Sequence, residues 1–260
     1  GRIGQEGAAR NFGDGNSMND LIYLDIETIP TQRQDVRDYF SESIADELAQ
    51  ALESVKAPSN YKDEAKIADY IETAKMNLKS EFAAKRDAAV NKTGLDGAFG
   101  QVVCVSVDTR DDGEPAVVSG MNEADLLCDL NFLMNREFDS SDNHSTSIVG
   151  HNVSAFDLRF LMQRYMVNGI RPHPIIARAA QAKPWESEKV YDTMIQFAGV
   201  GNRISLDKLC LALGLPGKGD ITGSDVWPMV QAGKLAEVAE YCRQDVIKTR
   251  AVFKRMTFAK

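Results

Sequence analysis

The stretch Leu21-Ile22-Tyr23-Leu24-Asp25-Ile26-Glu27-Thr28 is an apolar run interrupted twice by an acid. Side chains alternate faces along a strand, so Asp25 and Glu27 project from one side while Ile26 points into the opposite layer. Two acids placed this way repel each other and lose hydration if left unpaired. A bound divalent cation removes both penalties. Hard ions such as Mg²⁺ and Mn²⁺ take oxygen ligands and keep waters, as catalysis requires. The plainer alternative is a strand end at which both acids reach solvent, because D-x-E alone is a weak pattern.

Two later stretches add acids in a comparable setting. Gly150-His151-Asn152-Val153-Ser154-Ala155-Phe156-Asp157 passes from a short apolar strand into a helix. Ser154 three residues before Asp157 forms S-x-x-D, a weak capping box that would make Asp157 a helix-start acid. Phe156 is either a core residue of that helix or a ring on which a base can stack. In Tyr241-Cys242-Arg243-Gln244-Asp245, on a late amphipathic helix, Tyr241 and Asp245 are four residues apart and share one face. A surface i,i+4 pair is the simplest account of them.

In this order and rough spacing the three segments resemble the DEDD superfamily of 3′→5′ exonucleases, with the DnaQ-like, ribonuclease H-like fold. The tyrosine-bearing branch is the one matched, since the histidine branch needs His where this chain has Glu240. The likeness is to stand-alone exonucleases related to the family B DNA polymerase proofreading domain. It extends to Ala98–Val107, similar to the family's second strand, and to Ser205–Lys218 and Gly223–Trp227, similar to the segment before its third motif.

The resemblance implies that Asp25, Glu27, Asp157 and Asp245 are catalytic carboxylates that bind Mg²⁺ or Mn²⁺, two ions per site. Tyr241 would orient the attacking water through its hydroxyl. The backbone at Thr28, the side chain of Asn152 and the ring of Phe156 would contact the terminal nucleotide. The implied reaction is release of nucleoside 5′-monophosphates from a free 3′ end by two-metal in-line phosphoryl transfer. Single-stranded DNA is the expected partner by family likeness. Two rival readings remain: a ribonuclease or structure-selective nuclease of the same fold, and a non-catalytic nucleic-acid or protein-binding module.

The order of elements suits this α/β fold. Expected strands are Leu21–Asp25, Val102–Asp108, Ala116–Ser119, Ser147–Gly150 and Val190–Asp192, with a hairpin turn at Gly113-Glu114. They would form a mixed five-stranded sheet, three strands antiparallel, with helices on both faces. The first strand would be central and the fourth would lie beside it in parallel. A helix over Glu123–Asn135 leads into a polar loop, Asp139–Thr146. Residues 33–95 read as an inserted helical hairpin, with apolar stripes Ile44, Leu48, Leu52, Val55 and Ile67, Ile71, Leu78, Phe82 separated by Pro58-Ser59-Asn60. Gly94 can end its second helix. The hairpin is read as a solvated buttress, with an access-limiting or partner-binding arm as the alternative.

Length and charge set the outer bounds. The 260 residues suit one exonuclease domain over 18–260 with this insertion. Residues 1–17 lack periodicity and precede Met18, so they read as an expression remnant. The net charge of −8 argues against generic adhesion to nucleic acid, although bases outnumber acids between His151 and Gly219. Gly217-Lys218 is not a P-loop, because the earlier glycine position is Ala212 and a helix precedes it. Lys218 could still approach a phosphate or stand solvated in its loop. Cys104, Cys128, Cys210 and Cys242 lack C-x-x-C spacing and read as free thiols of a reducing, cytoplasmic compartment. No stretch reads as membrane-spanning.

Overall fold

The computed structural model describes residues 20–109, 113–137, 146–217 and 219–259. The segment 1–17, Lys218 and the loop from Asp139 to residue 145 lie outside the described residues. Two compact units emerge, one from the residues up to Glu27 together with those from Val103 onward, the other Thr28–Val102.

The first unit is organised by a five-stranded sheet in the order β3-β2-β1-β4-β5. Its strands are β1 (Leu21–Ile29), β2 (Gln101–Asp108), β3 (Ala116–Ser119), β4 (Ser147–Gly150) and β5 (Val190–Asp192). β1 is central and runs parallel to β4, with Leu21 opposite Ser147 and Tyr23 opposite Val149. β4 and β5 are also parallel, whereas β2 and β3 pair antiparallel. β1 is longer than the expected Leu21–Asp25: it continues through both acids to Ile29. The chain stays extended there until Pro30, which has no N–H for a ladder.

Both faces of β1 are covered. Ile22, Leu24 and Ile26 are buried on one side, and Tyr23 on the other. A sheet buried on both faces needs a layer on each. On the Tyr23 side the layer is α9 (Leu235–Thr257), whose buried stripe is Val238, Cys242, Val246, Thr249, Val252 and Phe253. Tyr23, Val149, Tyr191, Val246 and Phe253 form one cluster there, with the rings of Tyr23 and Phe253 edge to face at 5.8 Å. Two further helices, α3 (Glu123–Glu137) and α4 (Asp157–Val167), are tied together by a buried ion pair. Arg164 Nη2 donates to Glu123 Oε2 at 2.7 Å and Nε donates to Oε1 at 2.9 Å. The remaining helices are α5 (Pro174–Ala179), α6 (Thr193–Ala198), α7 (Leu206–Leu213) and α8 (Val226–Gln231).

The second unit is the inserted hairpin, α1 (Gln34–Ser54) packed against α2 (Glu64–Lys92). Among its stripe residues Ile44 is buried, while Leu48, Leu52, Ile67, Ile71, Leu78 and Phe82 are half-buried. Two helices can shield only the seam between them, which is why α2 has no fully buried residue. At the base of the hairpin, Thr93 Oγ1 accepts from Thr31 N–H at 2.8 Å and Thr28 Oγ1 donates to the Gly94 carbonyl at 2.6 Å. A Cβ on Gly94 would lie 3.1 Å from Pro30 N, so a side chain there would wedge the two ends of the insertion apart. No described helix is long and apolar enough to cross a membrane.

A Cβ on Gly150 would collide with the Val153 side chain and approach the Leu24 carbonyl to 3.0 Å, whereas one on Gly120 meets nothing within 4 Å. Gly150→Ala is therefore expected to lower stability by about 1–3 kcal/mol, the usual penalty of overpacking. Gly120→Ala should be close to neutral. Urea unfolding midpoints followed by tryptophan fluorescence check the contrast, and equal midpoints would contradict the close packing of β1 on the turn after β4.

Candidate active site

The alternation that buries Tyr23 against α9 points Asp25 and Glu27 at the same helix, nearer its start. Phe253 and Val246 pack at Tyr23, and the preceding turns bring Asp245, Cys242 and Tyr241 alongside the two acids. Cys242 Sγ donates to the Asp25 carbonyl at 3.5 Å. One carboxylate oxygen from each of Asp25, Glu27 and Asp245 lies within 4.8 Å of the other two. Residues at opposite ends of the chain thus supply one compact set of oxygen ligands.

The electrostatics of this cluster are unfavourable without a cation. Burial, followed by the charges of Asp157, Glu27 and Asp245, pushes the Asp25 carboxyl well above the usual carboxylate range. Burial and then Asp245 do the same to Glu27. Asp25 Oδ2 is buried with no hydrogen-bond partner, a costly state for a charged oxygen and a suitable one for a cation ligand. Hard oxygen donors of this kind, and no nitrogen, fit Mg²⁺ or Mn²⁺.

Asp157 stands beside the cluster rather than in its tight triad. It is 4 % exposed and accepts a hydrogen bond from Ile26 N–H at Oδ1, 3.1 Å away. β4 ends at Gly150, level with Leu24 if the register continues, so Ile26 N–H lies past the end of that neighbouring strand and Asp157 takes it. Burial raises the Asp157 carboxyl to about 7 against the opposing pull of its backbone hydrogen bonds. The capping box with Ser154 does not form: Ser154 N–H donates to Asp192, and α4 has no side-chain cap.

Tyr241 is half-buried at the edge of the α9 stripe, not a surface residue. Burial, then Asp245, Glu27 and Asp25, push its hydroxyl above the ordinary phenol range. At neutral pH it is therefore a hydrogen-bond donor and not a base. A cleft of about 550 Å³ opens beside it, lined by Pro216, Ile221, Gln244, Ile247 and Lys248 among others. Lys248 was not singled out from the sequence; its Nζ lies 2.9 Å from Asp245 Oδ1 and 3.3 Å from Asp207 Oδ1. An i,i+3 cation next to an acid is too common on helices to signal this role.

The remaining candidates are more loosely placed. Asn152 is half-buried in the turn after β4 with φ at +61°. Phe156 is half-buried, its ring tilted against Phe160 at 5.5 Å, so it is not a core residue. Thr28 belongs to the second unit, where its hydroxyl is engaged by Gly94. Asp192, absent from the sequence candidates, gathers backbone N–H groups from both sides of the turn at Asn152. The four cysteines are free, with Cys128 exposed and the other three buried.

A mixed sheet of this order, flanked by helices, is the ribonuclease H-like fold of exonucleases. Within that class, residues 95–260 match the family described as a predicted 3′-5′ exonuclease related to the exonuclease domain of PolB, and the chain belongs to that family. The match includes Asp157, Tyr241 and Asp245, while Asp25 and Glu27 lie upstream of it. No curated protein matches the chain.

The raised carboxyls make stability depend on pH. Where the folded pKa is above the unfolded one, the folded state retains protons that the unfolded chain has released, so stability falls as pH rises through that window. For Asp157 the window runs from the ordinary 3.8 of an aspartate to about 7. In chelator, the thermal midpoint should thus be higher at about pH 5.5 than at about pH 8, and Mn²⁺ should raise it more at the higher pH. Scanning fluorimetry of the parent and of Asp25→Asn, in which the dependence should shrink, is the check. A midpoint that drops on acidification across this window would reverse the assignment.

Proposed function

We propose that the protein is a divalent-metal-dependent 3′→5′ exonuclease that removes nucleoside 5′-monophosphates one at a time from DNA 3′ ends. The observation that carries this reading is the convergence of one carboxylate oxygen each from Asp25, Glu27 and Asp245 within 4.8 Å of one another, with Asp25 Oδ2 buried and unpartnered. Asp25, Glu27 and Asp245 would hold one ion, and Asp25 with Asp157 would serve a second. When bound, two such ions acidify water and offset charge on the departing 3′ oxygen.

The chain's own groups have distinct tasks. Asp25, Glu27, Asp245 and Asp157 would hold the ions. Tyr241 keeps its proton, so its hydroxyl orients the attacking water by hydrogen bonding and does not remove its proton. Asn152 and Phe156, at the turn leading to Asp157, would hold the terminal nucleotide, the ring by stacking on its base. DNA as the substrate is supported by the relation of the family to a polymerase exonuclease domain.

The test is nucleotide release from 5′-labelled single-stranded DNA and RNA in Mg²⁺ or Mn²⁺, with a 3′-blocked strand beside each. A ladder from free DNA ends and none from blocked ends is expected; cutting of the blocked strand would indicate an endonuclease, and preference for RNA a ribonuclease. Asp25→Ala or Asp245→Ala should lower the rate about a thousandfold or more, at about 1.4 kcal/mol per decade. Turnover within about tenfold of the parent would remove that residue from the site. Tyr241→Phe should slow single turnover by about 10–10³ with metal affinity unchanged, since a positioning hydroxyl contributes less than a full general base. A silent Tyr241→Phe would make Tyr241 a packing residue.

A further inference from the structure

We propose that Asp192 is a positioning residue for the 3′ end of the substrate: it clamps the turn that presents Asn152, and this role rests on the exonuclease reading above. Asp192 ends β5, opposite Gly150 at the end of β4, and is 2 % exposed. As N-cap of α6 its Oδ1 accepts from Met194 N–H at 3.0 Å and Ile195 N–H at 3.3 Å. Capping requires no more than these bonds. Yet the same oxygen also accepts from Asn152 N–H at 3.0 Å, and Oδ2 accepts from Ser154 N–H at 3.0 Å. These two further hydrogen bonds fasten the 152–154 turn to the sheet.

What the clamp holds is a backbone that does not form for free. Asn152 has φ at +61°, a left-handed region where glycine is the default and asparagine is tolerated at less strain than most side chains. Strain of this sort persists only where the surroundings enforce it. Glycine adopts the same backbone without an amide, so the shape of the turn and the side chain of Asn152 can be separated by substitution. The turn is fastened on its other side as well. His151 Nδ1 lies 3.0 Å from Thr193 Oγ1 and Nε2 lies 2.9 Å from the Ile204 carbonyl. From Asn152 the turn passes through Phe156 N–H, which donates to the Asn152 carbonyl at 3.0 Å, directly into Asp157. Asp192 therefore fixes, without touching substrate, the direction of the one segment that carries Asn152, Phe156 and Asp157.

Asp192→Asn keeps the shape but sets an amide donor against a backbone N–H. Amide hydrogen exchange at Asn152 and Ser154 should accelerate by about tenfold or more. The single-turnover rate on single-stranded DNA at saturating Mn²⁺ should fall about 10–100-fold, the usual effect of losing a group that orients a site residue. The half-saturating oligonucleotide concentration should rise, while calorimetric Mn²⁺ affinity at the tightest site stays within about threefold, a pattern that general unfolding would not produce. Adding Asn152→Ala to Asp192→Asn should cost little further, because the two act as one unit. Asn152→Gly supplies the second arm should Asp192→Asn not fold: it relieves the strain and should be at least as stable as the parent, yet lose activity to the same degree. An Asn152→Gly variant as active as an active parent, or unchanged exchange in Asp192→Asn, overturns the clamp alone. A parent that releases no nucleotide from any strand overturns the exonuclease reading and the positioning role with it.

Discussion

Two carboxylates on the buried face of a central strand are the constraint to which the rest of the first unit answers. Asp25 and Glu27 share a face with Tyr23, and Tyr23 is packed under α9. The same contact that buries the tyrosine removes water from the acids and brings Asp245 against them. Even with Lys248 beside Asp245, three carboxylates so close are unfavourable and settle by taking up protons or a metal ion. The elevated pKa values of Asp25 and Glu27 are one expression of that tension, and the unpartnered oxygen of Asp25 is another.

Around this cluster the fold spends polar side chains on backbone geometry. Asp157 satisfies an N–H that β1 exposes where β4 has ended, and so the strand can run on through Glu27. Asp192 satisfies N–H groups of the turn between β4 and α4. Each carboxylate replaces a missing ladder partner at an edge where the sheet stops, and it is at such strand ends that α/β folds place their sites. Apart from these, the buried ion pair of Arg164 with Glu123 joins α3 and α4 away from the acids.

The inserted hairpin follows different rules. Its two helices shelter one apolar seam, carry charge on their outer faces, and are stapled at the base by Thr31, Thr93 and Gly94. Within this unit Gly94 accepts from Thr28, near the end of β1, and Thr93 accepts from Thr31, just after it.

Much was legible without coordinates because it is local. The strand over 21–25 with an acid two residues beyond its last, the period-four stripes of the hairpin, and the short apolar strands at 116–119, 147–150 and 190–192 follow from alternation, helical spacing and turn residues within a few positions. The element order suits the sheet, but it was the resemblance of three segments to the DEDD exonucleases that implied Asp25, Glu27, Asp157, Tyr241 and Asp245 as candidates. What tertiary structure alone decided was which groups meet. It brought Asp245 to Asp25 and Glu27 as a close triad and turned Asp157 toward Ile26 N–H instead of its own helix. It also paired Lys248 with Asp245, and it recruited Asp192, which in sequence is merely an acid at the end of a three-residue strand. Periodicity reports the face on which a side chain lies, but its partner depends on how distant elements pack, and that information is carried by no short stretch of the chain.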